Sequence, residues 1–339
     1  MSIDRELSRD TETSEWQIRQ VCHSEWSGYW VDCADQNLLQ SWGYGQAKEV
    51  IGLCKPMRYV ISNENNRPVA LVQVLTWALP ILGGIARVNR GPLLLINESV
   101  NEVQLKINVL SVLMQEARRQ RWWFIQIAPE ISDSELACQG LRDLGLRKQA
   151  DVAWASGLID LSLSEQELYA RLNRRWQRTL KKASNLGVIV KTVKFTDDLL
   201  VDVLKSYADL QKRNEFEGID SAFIKEISKS QSADCMFDLY IAELVNNSGL
   251  NEILGYRLII RSGCTALDFL VSTNERGREL DANSALYWHA IIQAKENGCR
   301  WFDIGGVNEN TTKGIAEFKQ GLNAVPYKLL GEWRKWWYS

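Results

Sequence analysis

Residues 117–127 (ARRQRWWFIQI) have the pattern of a helix end that leads into a buried strand, and residues 294–304 (AKENGCRWFDI) repeat that pattern. The two segments align without gaps at an offset of 177 residues, from position 117 to position 294. Ile125 aligns with Phe302, and Ile127 aligns with Ile304. Any helix that runs into a buried strand shows similar periodicity, so this match favours an internal duplication where the surrounding elements also agree.

The elements around the two segments follow a similar order. In the first half the hydrophobic pattern predicts strands at 58–63, 69–79, 85–95, 122–127 and 152–161, and helices at 100–120 and 134–144. In the second half it predicts helices at 164–186, 197–214, 222–229, 282–297 and 313–320, and strands at 188–195, 236–244, 253–261, 266–272, 301–304 and 327–333, with a hairpin turn at Ser262-Gly263. Each half is a mixed α/β unit, so the sequence predicts an α/β (α+β) protein that arose by duplication.

Length and composition agree with two domains. The chain has 339 residues, of which 45% are hydrophobic and 24% are charged, so it can form two cores of ordinary size. We expect a first domain at 1–160, with a flexible N-terminal segment of about 15 residues, and a second domain at 161–325. Residues 326–339 form a last strand that we expect to return to the first domain. The formal net charge is −2, which neither favours nor excludes nucleic acid.

The sequence predicts a cytoplasmic location. The polar N-terminus lacks the apolar core of a secretory signal, and the long apolar run at 69–88 is interrupted by Pro80 and the Gly83-Gly84 pair. We interpret that run as two strands joined by a turn rather than a membrane helix. The seven cysteines contain no Cys-x-x-Cys pair, which indicates reduced thiols and neither disulfides nor zinc.

Several enzyme classes are disfavoured by missing motifs. The chain has two histidines, His23 and His289, and no Walker loop, Gly-x-Ser-x-Gly elbow or His-Glu-x-x-His motif. NTPase, serine hydrolase and zinc-enzyme mechanisms therefore have little support.

The segment LYARLNRRWQRTLKKA (168–183) carries the strongest local signal. Its apolar residues follow helical spacing, and its cations have no acid between them. The cations are Arg171, Arg174, Arg175, Arg178, Lys181 and Lys182. A solvated surface helix is the simple interpretation. Six cations on one helix repel one another, however, and a polyanion would relieve that repulsion, so we favour contact with RNA phosphates.

This helix and four further segments resemble the FemABX family of peptidoglycan interpeptide-bridge enzymes. The segments are QSWGYGQAKE (40–49), NRGP (89–92), FDIGGV (302–307) and GIAEFKQGL (314–322). The resemblance runs from about residue 38 to residue 332. It implies two tandem acetyltransferase-like (GNAT) domains and a reaction in which aminoacyl-tRNA donates its amino acid to an amine of a muramyl-pentapeptide.

The resemblance agrees with the absence of a coenzyme A loop. GNAT domains hold a pyrophosphate at a helix N-terminus through an Arg/Gln-x-x-Gly-x-Gly/Ala loop. The equivalent stretch here is RELDAN (278–283), with Asp281 and Asn283 in place of small residues. A carboxylate would repel a pyrophosphate, so we expect no cofactor.

The resemblance also assigns acceptor-binding residues. It implies that Lys48 in the first motif and Arg213 in LQKRNEF hold the acceptor's phosphates, although either could be a simple surface cation. Trp42 and Tyr44 would shape the same pocket or pack against the first sheet.

By the same resemblance the reaction centre involves the Phe318-Lys319 pair. The Lys319 ammonium would stabilise the oxyanion that forms when an amine attacks the aminoacyl ester, and Phe318 would contact the terminal adenosine. Asp303 is a candidate general base, with a buried structural aspartate as the alternative. The substrate's own groups could equally relay the proton.

Other features bear on partners. Some members of the family that the chain resembles insert a long two-helix coiled arm in the second domain. The roughly forty residues between Phe195 and Met236 are too few for it, so we expect the compact form without a coiled-coil arm. We expect a monomer whose acceptor is UDP-linked or lipid-linked. The segment EWRKWWYS (332–339) could contact a membrane surface, but we prefer a strand that packs on the first domain.

Three alternative functions stay open at this point. The chain could transfer an amino acid from tRNA to a small-molecule amine, act as a coenzyme A-dependent N-acyltransferase, or bind RNA without catalysis. Asp281 argues against the second, and the intact Phe-Lys pair argues against the third.

Overall fold

The computed structural model describes residues 16–52, 54–79, 83–95, 101–149, 153–232, 234–245, 251–307 and 311–337. Up to Asp160 the elements are β1 (Gln17–Gln20), α1 (His23–Trp30), a 3-10 helix (Leu38–Gln40), α2 (Trp42–Gly52), β2 (Lys55–Ser62), β3 (Pro68–Leu79), β4 (Gly83–Asn89), β5 (Leu93–Leu94), α3 (Glu102–Arg119), β6 (Trp122–Ala128), α4 (Glu135–Asp143), β7 (Arg147–Lys148) and β8 (Ala155–Asp160). They are followed by α5 (Glu165–Arg171), α6 (Arg174–Asn185), β9 (Val188–Val193), α7 (Asp197–Asn214), α8 (Ser221–Lys229), β10 (Met236–Val245), β11 (Asn251–Ser262), β12 (Thr265–Thr273), α9 (Glu275–Glu279), α10 (Ala282–Glu296), β13 (Trp301–Asp303), α11 (Lys313–Gln320), β14 (Val325–Lys328) and β15 (Trp333–Trp336).

The strands form two sheets with the same layout. The first sheet has the order β1-β2-β3-β4-β6-β15-β7, with β5 beside β3, and the second has the order β14-β8-β13-β12-β11-β10-β9. Each sheet contains one parallel pair, β4 with β6 and β12 with β13, joined through α3 and α10 respectively. Ile125 pairs with Ala86 in the first sheet, and the aligned Phe302 pairs with Ala266 in the second. The predicted duplication and α/β fold class are confirmed.

The two halves exchange their last strands. β15 comes from the end of the described chain but lies between β6 and β7 in the first sheet, while β8 lies between β13 and β14 in the second. The predicted division after residue 160 therefore needs correction, because β8 belongs to the second sheet. The single strand predicted at 327–333 is in fact two strands, and β14 and β15 join different sheets.

Three large apolar cores stabilise this arrangement. One lies between the first sheet and α3 and α4, and a second lies between the second sheet and α5, α6 and α10. The third contains Tyr44 and Ala47 of α2 together with residues of α7, α8 and the second sheet, so it joins the two domains. Burial of this kind holds the domains in one relative orientation.

The long helix predicted at 164–186 is interrupted. Leu172 adopts an extended conformation with ψ 139°, and the Asn173 side chain accepts a hydrogen bond from the Trp176 amide and so begins α6. Asparagine favours such N-caps over helix interiors. Arg171 therefore lies on α5, and the other five cations lie on α6.

The apolar run at 69–88 forms β3 and β4, as predicted, although the residues that join them lie outside the described part of the chain. The N-terminal segment expected to be flexible also lies outside it. No helix among the described residues is long and apolar enough to cross a membrane.

Candidate active site

Lys319 lies at a notch in the second sheet. β12 and β13 are paired from Thr265 and Trp301 to Leu267 and Asp303. After Asp303 the chain that forms β13 is no longer paired with β12 and continues through Gly305 and Gly306. We call the opening between β12 and this turn the notch. The Lys319 ammonium donates a hydrogen bond of 3.0 Å to the Gly306 carbonyl. Gly305 has φ +74°, and a Cβ there would lie 2.9 Å from the Asp268 carbonyl and 3.2 Å from Lys319 Nζ. A glycine is therefore required at this turn.

The surroundings of Lys319 contain both signs of charge. Burial lowers the pKa of Lys319, Asp268 and Asp303 oppose that shift, and Arg257 adds to it. The Arg257 side chain is almost fully buried, forms an ion pair with Asp268 and stacks on Tyr287 with its guanidinium carbon 4.0 Å from the ring centre. The ammonium is thus held in a partly desolvated site, where its charge acts more strongly than in water.

Phe318 packs on the core side of α11. Its ring centre lies 4.5 Å from that of Trp176 and 5.8 Å from that of Tyr287. The Trp176 indole also donates a 2.7 Å hydrogen bond to the Phe318 carbonyl, and the Asn173 amide donates to the Gly321 carbonyl at 3.0 Å. These contacts attach the basic helix α6 directly to the segment that carries Lys319.

Asp303 is a buried, fully hydrogen-bonded carboxylate. It is 3% exposed, and it accepts hydrogen bonds from the Gly305 amide at 2.9 Å, from the Tyr327 hydroxyl at 2.6 Å and from Ser156. A carboxylate with three donors and little exposure is poorly placed to take a proton from a substrate amine. The geometry matches the alternative of a structural aspartate better than that of a general base.

The first motif is used mainly for packing. The Gln40 amide bridges β3 and β4, because it bonds to both backbone groups of Gln73 and to the Asn89 carbonyl. Added Cβ atoms would lie 2.8 Å from the Ser230 carbonyl at Gly43 and 2.1 Å from the Gln73 side chain at Gly45. The glycines therefore allow α2 to approach both domains closely.

For Trp42 the structure shows packing contacts, which were the alternative to shaping the acceptor pocket. The Arg58 guanidinium carbon lies 3.6 Å from its ring centre, and its amide donates to Asp234 of the second domain at 2.6 Å. Tyr44 is also buried, with its ring edge-on to Phe223 at 5.5 Å, and burial raises its pKa to about 12.

Lys48 and Arg213 occupy different surroundings. The Lys48 ammonium is half-buried, 4.4 Å from the Phe223 ring centre, and burial lowers its pKa. Arg213 is exposed near the end of α7 and donates to the Thr273 carbonyl at 2.9 Å. Within the described residues the structure does not bring the two cations into contact, so a shared ligand would have to span them.

Two of the cations on α6 have acidic partners that the sequence pattern does not show. Lys182 forms a 2.8 Å ion pair with Asp281, the residue that precedes α10, and Arg175 lies 3.7 Å from Glu317. The expectation of six uncompensated cations on one helix is therefore wrong. Arg174, Arg178 and Lys181 are exposed on α6 beside them.

Sequence reasoning missed the residues that surround Lys319 without belonging to a motif. Arg257, Asp268 and Tyr327 come from β11, β12 and β14, and none of them lies in the segment that carries the Phe-Lys pair. The sequence assigned no role to Arg90 of the NRGP motif. It forms a two-bonded ion pair with Glu130 and lies 3.5 Å from the Tyr327 hydroxyl, beside an interdomain cleft of about 340 Å³.

Comparison with known proteins agrees with this architecture. Residues 169–320 match the family model described as an acetyltransferase (GNAT) domain. A tandem GNAT protein from the clavulanic acid biosynthesis pathway is 12% identical over 95% of this chain and 98% of that one, with a TM-score of 0.54. L-PGS from Bacillus licheniformis is 11% identical over 94% and 92%, with a TM-score of 0.55. No curated protein sequence matches the chain.

The two sheets and their strand order thus define a tandem GNAT-like fold. Within this class, FemX has a TM-score of 0.79 to the chain at 14% identity, covering 95% of this chain and 97% of that one. The resemblance to the FemABX family is confirmed at the level of the fold.

Proposed function

We propose that this protein transfers an amino acid from aminoacyl-tRNA to an amine of a muramyl-pentapeptide precursor. The observation that carries this proposal is the direct attachment of the basic helix α6 to the segment of Lys319 through Trp176. A tRNA bound by α6 would have its aminoacylated end near the notch.

The chemistry requires one new bond and one broken bond. The acceptor nitrogen attacks the ester carbonyl carbon, an oxyanion forms, and the ribose hydroxyl leaves as the amide is completed. A fixed ammonium beside the oxyanion can lower the barrier by about 3 kcal/mol, the scale of one oxyanion donor. The amine must lose a proton and the ribose oxygen must gain one, so the substrates can exchange it between themselves.

The acceptor would lie between the domains. Lys48 contacts Phe223 of the second domain, and Arg213 lies at the surface of that same domain. We propose that these cations hold the anionic end of the acceptor. Asp281, ion-paired with Lys182, occupies the residue before α10, where a pyrophosphate-binding loop has a small residue, which disfavours coenzyme A as the donor.

The direct test uses a mixture of charged tRNAs, a UDP-linked muramyl-pentapeptide and the purified protein. Mass spectrometry of the acceptor should show one added amino acid. Transfer to a small amine but not to the muramyl peptide would favour the small-molecule alternative, and acetylation by acetyl-coenzyme A without tRNA would contradict the proposal.

The basic surface gives a binding prediction. Replacing Arg174, Arg175 and Arg178 with Gln should weaken tRNA binding and reduce its salt dependence, because each lost phosphate contact lowers the slope of log affinity against log salt by about one. Filter binding at several salt concentrations measures both effects. The matched control replaces Arg118, Arg119 and Arg121, exposed cations at the end of α3. Equal effects of the two triple variants would remove α6 as the tRNA site.

A further inference from the structure

We infer that Asp303 and Tyr327 are positioning residues, which hold the Gly305-Gly306 turn and through it the Lys319 ammonium in the geometry needed for transfer. This inference rests on the proposed function, because it concerns the lysine assigned there to the oxyanion. Both residues line the interdomain cleft, but the inference assigns them no part in the bond-making steps.

Asp303 is linked directly to the Gly305-Gly306 turn. Asp303 ends β13, and its carboxylate accepts from the Gly305 amide two residues later. Ser156 of β8 donates its single hydroxyl proton to the same carboxylate, and its oxygen lies 2.9 Å from the Gly305 carbonyl. The turn is therefore held mainly through its amide, by way of Asp303.

The Gly305-Gly306 turn is linked directly to Lys319. Among the described residues, the Gly306 carbonyl is the hydrogen-bond acceptor of Lys319, at 3.0 Å. The Cβ-free face of Gly305 leaves space for the ammonium. A displacement of the turn would therefore move the ammonium as well, and small misplacements of a catalytic group are costly for rate.

Tyr327 holds the Asp303 carboxylate from the other side. Its hydroxyl donates to Asp303 at 2.6 Å and accepts from the Trp154 indole at 3.0 Å. Burial raises the pKa of Tyr327, so the phenol stays protonated and remains a donor. Arg90, held by Glu130 in the first domain, approaches the same hydroxyl, so the chain of contacts reaches from the first domain to Lys319.

The experiment compares Tyr327→Phe and Asp303→Asn with the unchanged protein. Single-turnover transfer should slow by about tenfold in Tyr327→Phe and by more in Asp303→Asn, with affinities for tRNA and UDP-linked acceptor within about twofold. The matched control is Tyr240→Phe, since Tyr240 is a fully buried tyrosine of the same sheet whose hydroxyl has no partner among the described residues. Its rate should be unchanged.

The pH profile distinguishes positioning from general destabilisation. Among the described residues, Asp268, Arg257 and Asp303 are the charged groups that act on the pKa of Lys319. The Asp303 carboxylate raises the pKa of Lys319. In Asp303→Asn that pKa should therefore fall, and the alkaline fall in rate should move to lower pH. A general loss of stability would lower the rate at every pH without moving this fall.

Normal rates in folded Tyr327→Phe and Asp303→Asn would overturn the inference while leaving the role of Lys319 intact. Should Asp303→Asn fail to fold, the rate of Tyr327→Phe relative to Tyr240→Phe decides. A normal rate in Lys319→Ala would overturn both this inference and the proposed role of Lys319.

Discussion

Replacing Lys319 with alanine is expected to lower the single-turnover rate of aminoacyl transfer by about a hundredfold or more. The affinities for tRNA and acceptor should change little, because the ammonium acts on charge that develops in the transition state. Single-turnover rates and binding titrations on the same preparation measure the two effects separately. A loss that appears in affinity instead would assign Lys319 to substrate binding.

Lys313→Ala is the matched control for this experiment. Lys313 lies on the same helix α11, but its side chain is 92% exposed and its nearest acid, Glu317, is 3.9 Å away. Its removal should leave the rate within about twofold. A comparable loss in Lys313→Ala would indicate that α11 as a whole, rather than the notch, is sensitive to charge.

The rate should also fall at alkaline pH. Burial lowers the pKa of Lys319 below that of a free lysine, so the ammonium is lost as pH rises through this lowered value. The fall should therefore occur at lower pH than for an exposed lysine. An alkaline limb that persists unchanged in the residual activity of Lys319→Ala would assign it to another group.

Trp333→Ala is expected to reduce the free energy of unfolding of the first domain by about 3–5 kcal/mol, the range for removal of a fully buried large side chain. Trp333 is completely buried in the core of the first domain, on the exchanged strand β15 between β6 and β7. Chemical denaturation followed by circular dichroism measures the change.

Trp336→Ala is the control on the same strand. Trp336 is 43% exposed and contacts Phe124 at a ring distance of 4.2 Å. It should cost about 1.5 kcal/mol or less. Similar effects of both substitutions would mean that β15 contributes little through its buried face.

The sequence predicts the regular parts of the fold well. The helices Asp197–Asn214 and Lys313–Gln320 have the predicted bounds, because amphipathic spacing and capping residues act locally. Before β2, by contrast, α1 and α2 were missed. Gly43 and Gly45 are poor helix formers, and they are tolerated in α2 because neighbouring elements approach closely there.

The residues around Lys319 are harder to predict, because their contacts with it are not local in the sequence. Lys319 was found through the Phe-Lys pair of a motif, whereas Asp268 and Tyr327 stand alone in strands that meet it by folding. The partner of Lys182 was missed in the same way, since Asp281 is about a hundred residues away in the chain. Contacts of this kind follow from sheet order; the return of the last strand to the first domain was expected, but the place of β8 in the second sheet was not.

The exchange of β8 and β15 has a consequence for the growing chain on the ribosome. β6 and β7 are synthesised well before β15, so until the second sheet has been made they expose unpaired edges where β15 will lie. β8 is in the opposite position, because it emerges before every other strand of the sheet that it joins. Neither half can complete its sheet on its own. A nascent chain halted between them would expose the free edges of β6 and β7 and the unpaired strand β8, and either could aggregate or bind a chaperone.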